Sequence, residues 1–144
     1  MKRSQALGNS LCAFLFNSWA GHGCEIETVA CGTPRYDLER FGIKVVGSPR
    51  HADVLLISGP VTRKMAPRLR RVYEQMPEPR IVVCIGTCGT SGGAFYDSYT
   101  LVGPVDQVVP VDMYVPGCPP RPEAIIDGVV KVLARLEAKE NAAS

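Results

Sequence analysis

Ile81-Val82-Val83-Cys84-Ile85-Gly86-Thr87-Cys88-Gly89-Thr90-Ser91-Gly92-Gly93 joins an unbroken apolar run to a loop with four glycines in eight residues. An apolar run bounded by turn residues predicts a buried strand. Glycines at such density let the backbone close around a bound group and aim N–H donors at it. A phosphate loop is the competing reading. However, the Lys-Ser/Thr ending of a Walker motif is missing, and so is a complete G-x-G-x-x-G. Cys88, inside the loop, turns the reading toward a metal–sulfur group, while Cys84 belongs to the strand and the core.

The same pattern recurs on both sides. Upstream, Leu11–Phe16 predicts a first buried strand, and Asn17-Ser18-Trp19-Ala20-Gly21-His22-Gly23-Cys24-Glu25-Ile26-Glu27 leads from it into a helix. α/β folds place ligands at the carboxyl ends of strands. A cysteine near a helix start meets the partial positive charge there, which favours its thiolate. Downstream, Val115-Pro116-Gly117-Cys118-Pro119-Pro120-Arg121-Pro122-Glu123 frames another cysteine with a glycine and stiffening prolines,. Cys24, Cys88 and Cys118 are therefore candidate ligands of an iron–sulfur cluster, which thiolates hold.

Between these landmarks, strands are expected at Ile43–Val46, Val54–Ile57 and Val108–Val111. Helices are expected at Tyr36–Phe41 (ended by Gly42), Lys64–Met76 and Arg121–Glu137. The last carries Ile125, Ile126, Val129, Val130, Leu133 and Leu136 on one stripe. Arg63, Lys64, Arg68, Arg70 and Arg71 give the 64–76 helix a basic face that suits an acidic partner. His51 reads as a solvated or capping residue. Strands alternating with helices predict a three-layer α/β domain around a mainly parallel sheet.

The whole chain, 144 residues with 46% hydrophobic and 21% charged, is expected to form a single domain, with residues 1–10 as an arm and 138–144 as a fraying tail,. A formal charge of +2 gives no footprint for nucleic acid,. Six cysteines at irregular spacing suit metal or redox use better than a secreted disulfide framework,. Lys2 and Arg3 precede an apolar stretch, but Asn9, Ser10 and Asn17 interrupt it, so no signal segment is expected.

With these loops in view, the chain resembles the small cluster-bearing subunit of membrane-bound, energy-converting NiFe hydrogenases, and equally the 20-kDa-type subunit of respiratory complex I. The matching stretches are Cys24–Glu27, Thr33–Gly42, Ser48–Asp53, Gly86–Cys88, Pro110–Asp112 and Pro116–Glu123. The resemblance implies a flavodoxin-like fold that holds a 4Fe–4S cluster on four cysteines, three of which are Cys24, Cys88 and Cys118. It places the fourth at position 21 or 23, where this chain has Gly21 and Gly23. His22 is the leading substitute, with Cys31, Cys12, water or a partner side chain as alternatives, and a 3Fe–4S cluster or none as further outcomes. Glu27 is implied as a candidate proton relay beside the redox centre, and Glu25 as a first-turn glutamate that only favours the helix dipole.

The implied role is electron transfer from a ferredoxin-like subunit with two 4Fe–4S clusters to a large catalytic subunit. The host would be a membrane-bound hydrogenase complex with membrane-embedded subunits, this chain sitting peripherally on the cytoplasmic side. Trp19 and Tyr114 are expected contact residues. A complex I-like quinone- or sulfur-reducing assembly is the near alternative. A flavodoxin-like binding module without a cluster, or a purely structural subunit, is the alternative from another class.

Overall fold

The computed structural model describes residues 10–19 and 21–143, apart from the side chains at 136, 139–141 and 143. The expected arm thus lies outside the described residues, Ser10 excepted. The strands are β1 (Leu11–Asn17), β2 (Ile43–Val45), β3 (Val54–Ser58), β4 (Val61–Thr62), β5 (Ile81–Ile85), β6 (Leu101–Gly103) and β7 (Met113–Val115). Five of them form one sheet in the order β2-β1-β3-β5-β7, every neighbouring pair parallel. Counted along that sheet alone this is the 2-1-3-4-5 order of flavodoxin-like folds. β4 and β6 make a separate antiparallel ribbon.

Alternation along the strands divides the core in two. Ala13, Val54, Leu56, Val83, Ile85 and Val115 face one side, against α1 (His22–Ala30) and α4 (Pro122–Ala143). Phe16, Leu55, Ile57, Val82 and Cys84 face the other, against α2 (Ala66–Gln75). β3 and β5 are buried along their whole length, as expected of central parallel strands,. The predicted three-layer α/β architecture is the observed one.

Several local expectations change. No strand covers Val108–Val111. Pro104 opens a short 3-10 turn at Val105–Gln107, and Pro110 offers no N–H to a ladder,. The chain joins β5 only from Met113, while Val109 plugs the α2-side core from the loop. The Tyr36–Phe41 helix shrinks to a 3-10 turn, Leu38–Phe41, because Asp37 is left-handed (φ 44°); Gly42 (φ 77°) ends it as expected. β2 is an edge strand in which only Ile43 is buried, not a buried strand.

The glycine-rich stretch is not all loop. Residues Thr87–Ser91 form a short helix, α3, in which the Thr90 and Ser91 hydroxyls donate back to the Gly86 and Thr87 carbonyls,. α4 remains helical through the stretch expected to fray, and it buries Val132 where Val130 was expected. α2 starts at Ala66, so Arg63 and Lys64 fall in the turn before it; they and Arg68, Arg70 and Arg71 on the helix are all exposed, as is His51.

Candidate metal centre

Each strand that ends in a cysteine loop ends at the same edge. β1 delivers Cys24 on the first turn of α1, β5 delivers Cys88 on α3, and β7 delivers Cys118 on the turn that follows. The loops are tied together by backbone. The Gly86 N–H donates to Val115 O (2.8 Å) and the Thr87 N–H to Gly117 O (2.9 Å). The Thr87 hydroxyl donates to the same Gly117 oxygen (3.1 Å).

Glycine is required at two points. Gly86 has φ +92°, and a Cβ there would lie 3.1 Å from Cys24 Sγ. Gly93 has φ +52°, and a Cβ there would lie 3.0 Å from Cys88 Sγ. Both thiols therefore sit against bare backbone, a cradle that a side chain would fill.

The three thiols also feel one another. Burial pushes Cys24 above the ordinary thiol range, and the neighbouring Cys88 and Cys118 push it further. Burial and then Cys118 raise Cys88, against hydrogen bonding to backbone at Ala94 and at Cys88 itself. The helix N-terminus was expected to favour the Cys24 thiolate; burial and the adjacent thiols push the other way. Thiols so placed ionise together only when a positive centre compensates them, which is what metal binding does.

Among the described residues no three His, Cys, Asp or Glu side chains are set to hold one metal ion. A cluster makes a different demand, since its thiolates bind separate irons. Three cysteine loops that meet at one sheet edge, with the Cys24 and Cys88 sulfurs against glycine backbone, suit separate corners of such a group.

The remaining cysteines are elsewhere. Cys31 is fully buried at the end of α1, its Sγ donating to Glu27 O (3.3 Å) and Pro122 O (3.7 Å), and burial raises it to about 11. Cys84 is buried in β5 and raised to about 12, again by burial. Cys12 lies at the amino end of β1, the far end of the sheet from the site. An apolar groove of about 380 Å³ beside β2 is lined by Cys31, Leu38 and Val129 among others, and by none of the three clustered thiols.

His22 is the first residue of α1 and is exposed. Gly21 faces open space, whereas a Cβ on Gly23 would lie 3.4 Å from Pro119. Glu27 is half-buried on α1. Glu25 is the glutamate tied to the strand edge, its Oε2 accepting from Asn17 Nδ2 at 3.3 Å.

Two features escaped the sequence reading. Ser58 closes β3, is 0% exposed, and its Oγ has no hydrogen-bond partner among the described residues. An unmet buried hydroxyl costs about 1–3 kcal/mol. The second is an aromatic rim. Trp19 (55% exposed) packs on Phe95 with ring centroids 5.7 Å apart, and Tyr96 and Tyr99 stand exposed beyond it. The aromatic run at 95–99 was its signal. Tyr114, by contrast, is a half-buried strand residue packed on the α2-side core, not a loop contact.

A doubly wound parallel sheet that gathers three thiols at its carboxyl edge defines a flavodoxin-like α/β protein with a cysteine site. The chain belongs to the family described as NADH ubiquinone oxidoreductase, 20 Kd subunit, which matches residues 22–132. It is 55% identical over 130 residues to a probable membrane-bound hydrogenase subunit of Pyrococcus furiosus, covering 90% of this chain and 78% of that one. It is 54% identical over 115 residues to a subunit of the NADH-quinone oxidoreductase of Heliobacterium modesticaldum, covering 79% of this chain and 66% of that one.

Among solved structures, the membrane-bound sulfane sulfur reductase, an archaeal respiratory membrane complex, contains a chain that matches with a TM-score of 0.84 and 39% identity, covering 94% of this chain and 75% of that one. A chain of an NAD+-reducing NiFe hydrogenase shares the fold, with a TM-score of 0.67 at 20% identity over 87% of this chain and 92% of that one. These relatives belong to oxidoreductases, and two of them, the hydrogenase subunit and the sulfane sulfur reductase chain, to membrane-bound ones. Among the described residues no helix is long and apolar enough to cross a membrane.

Proposed function

We propose that this chain is the electron-transfer subunit that holds a 4Fe–4S cluster on Cys24, Cys88 and Cys118 and serves the large catalytic subunit of a membrane-bound hydrogenase. The observation that carries this reading is the meeting of three cysteine loops, each from a different strand, in one glycine-lined cradle. When bound, the cluster supplies one-electron storage at a potential set by its surroundings.

The residues of this chain bind and shield. The three thiolates fix the position of the group, and the bare backbone at Gly86 and Gly93 lets it sit close. His22, at the head of α1, is the fourth ligand, since the family's cysteine is absent at 21 and 23; a 3Fe–4S form follows if His22 stays free. Glu27 is the proton relay of this reading; its half-buried position one turn after Cys24 supports that role,.

The partners follow from the same reading. A ferredoxin-like subunit delivers electrons, the large subunit takes them, and membrane-embedded subunits anchor the assembly with this chain peripheral on the cytoplasmic side. The basic face of α2 and the Trp19 rim supply contact surface. The likeness to the sulfane sulfur reductase chain supports a second reading, a sulfur- or quinone-reducing complex. Two Cys-x-x-Cys pairs in the neighbouring large subunit mark the hydrogenase; their absence marks the alternative.

Iron and sulfide analysis with low-temperature EPR on the anaerobically purified complex tests the proposal. The expected result is about four irons per chain and a signal that appears on reduction with dithionite. His22→Ala then converts the signal to that of an oxidised three-iron centre. A working complex without iron overturns the electron-transfer reading.

A further inference from the structure

Ser58 is the last residue of β3, the strand between the two that lead to Cys24 and Cys88. Its Cα is paired with Asn17 on one side and Ile85 on the other. Val54 and Leu56 face α1, while Leu55 and Ile57 face α2, so alternation turns Ser58 toward α1,. Both lateral neighbours lead to Cys24. Asn17 donates to Glu25, the residue after it, and Ile85 precedes Gly86, whose Cβ position lies 3.1 Å from Cys24 Sγ.

The hydroxyl at this spot is out of reach of solvent and has no partner among the described residues. Its neighbour in the loop differs sharply. Ser18 Oγ lies within hydrogen-bond distance of three carbonyl oxygens, those of Ser58, Gly59 and Pro60. One serine pins the strand end; the other holds its donor back. A buried donor at the carboxyl end of the central strand, between the strands that lead to Cys24 and Cys88, is matched by an acceptor that arrives with the bound group,.

We propose that the Ser58 hydroxyl donates a hydrogen bond to sulfur of the group held by Cys24, Cys88 and Cys118, and so raises its midpoint potential. The inference rests on the cluster reading above. Reduction adds negative charge to the sulfur, so a donor stabilises the reduced form more than the oxidised one. Ser58 is thus a positioning and tuning residue that makes no bond to iron.

The test is an EPR-monitored redox titration of the assembled complex carrying wild-type chain, Ser58→Ala or Ser58→Thr. Ser58→Ala is expected to keep its iron and to move the midpoint negative. About tenfold less reduced form at a fixed potential corresponds to about 59 mV for one electron. Ser58→Thr keeps the hydroxyl and stays near wild type. Exchange into deuterated water is expected to remove a proton coupling from the wild-type spectrum that Ser58→Ala already lacks. An unchanged midpoint and coupling in iron-replete Ser58→Ala overturn the assignment to Ser58 alone. Absence of iron from the wild-type complex overturns it together with the cluster reading.

Discussion

The two ends of the parallel sheet are finished in opposite ways. At the amino end the protein closes its own polar groups. Asp53 Oδ2 accepts the Cys12 N–H (3.1 Å), Asp112 Oδ2 accepts the Val82 N–H (2.9 Å), and Asp53 O accepts the Ile81 N–H (3.0 Å). At the carboxyl end three cysteine loops gather, two glycines leave the Cys24 and Cys88 sulfurs against bare backbone, and Ser58 Oγ has no partner among the described residues. Parallel strands all point the same way, so one edge collects every strand-to-helix loop and becomes the site. The other edge only has to satisfy backbone, and aspartates suffice for that.

The largest contrast is between cysteines at the two edges. Cys88→Ser is expected to cost the complex roughly tenfold or more in bound iron, the scale on which metal sites respond to loss of a well-placed group. Cys12→Ser is expected to leave iron content unchanged. Iron and sulfide assays on the two variants read this directly, and equal losses would break the distinction between the edges.

Backbone changes sharpen it. Gly86→Ala forces φ +92° on a residue with a Cβ and presses it on Cys24 Sγ. The expected cost is about 1–3 kcal/mol together with lowered iron occupancy. Asp53→Ala removes the acceptor of the Cys12 N–H and is expected to cost about 1–2 kcal/mol with full iron occupancy. Denaturant midpoints paired with iron content separate the two; iron loss in Asp53→Ala would show that the edges are coupled.

The smallest effect is on alkaline stability, and it belongs to the core cysteines between the edges. Burial raises Cys31 to about 11 and Cys84 to about 12, from 9.0 for a free thiol. Below pH 9 both states keep these protons. Above it the unfolded chain releases them first, so stability falls progressively as pH rises toward the folded values. Denaturant midpoints between about pH 8 and about pH 10 should decline, and less steeply in Cys84→Ala. A decline that is as steep in that variant assigns the loss to other groups.

Legibility in the sequence tracked how many residues agreed with one another. Val54–Ile57 and Ile81–Ile85 are apolar at every position, and β3 and β5 sit within a residue of those bounds. The three cysteine loops were readable because each follows a strand and carries glycine or proline. α3 was not, since glycine-rich sequence argues against helix on propensity; backbone bonds such as Gly92 N–H to Cys88 O (2.9 Å) close the turn,. Val108–Val111 looked like a strand because Val109 is buried, but it is buried from a loop. The two-residue β4 is too short to leave a periodic signal. Ser58 read as the polar residue that stops an apolar run; its significance appears only once Asn17 and Ile85 stand beside it.

The contribution of β7 has a bearing on how the protein is made. Cys118 follows the last strand of the sheet, and that strand is held from below by α4, where a Cβ on Gly128 would strike Val115 Cγ2. A nascent chain that has emerged only through α3 presents two of the three thiols and no wall behind them. The cradle is complete only once the final third of the chain has left the ribosome, so on the cluster reading proposed above loading waits for the nearly finished fold. A chain that stops before Cys118 lacks one of the three proposed ligands and the α4 wall behind β7.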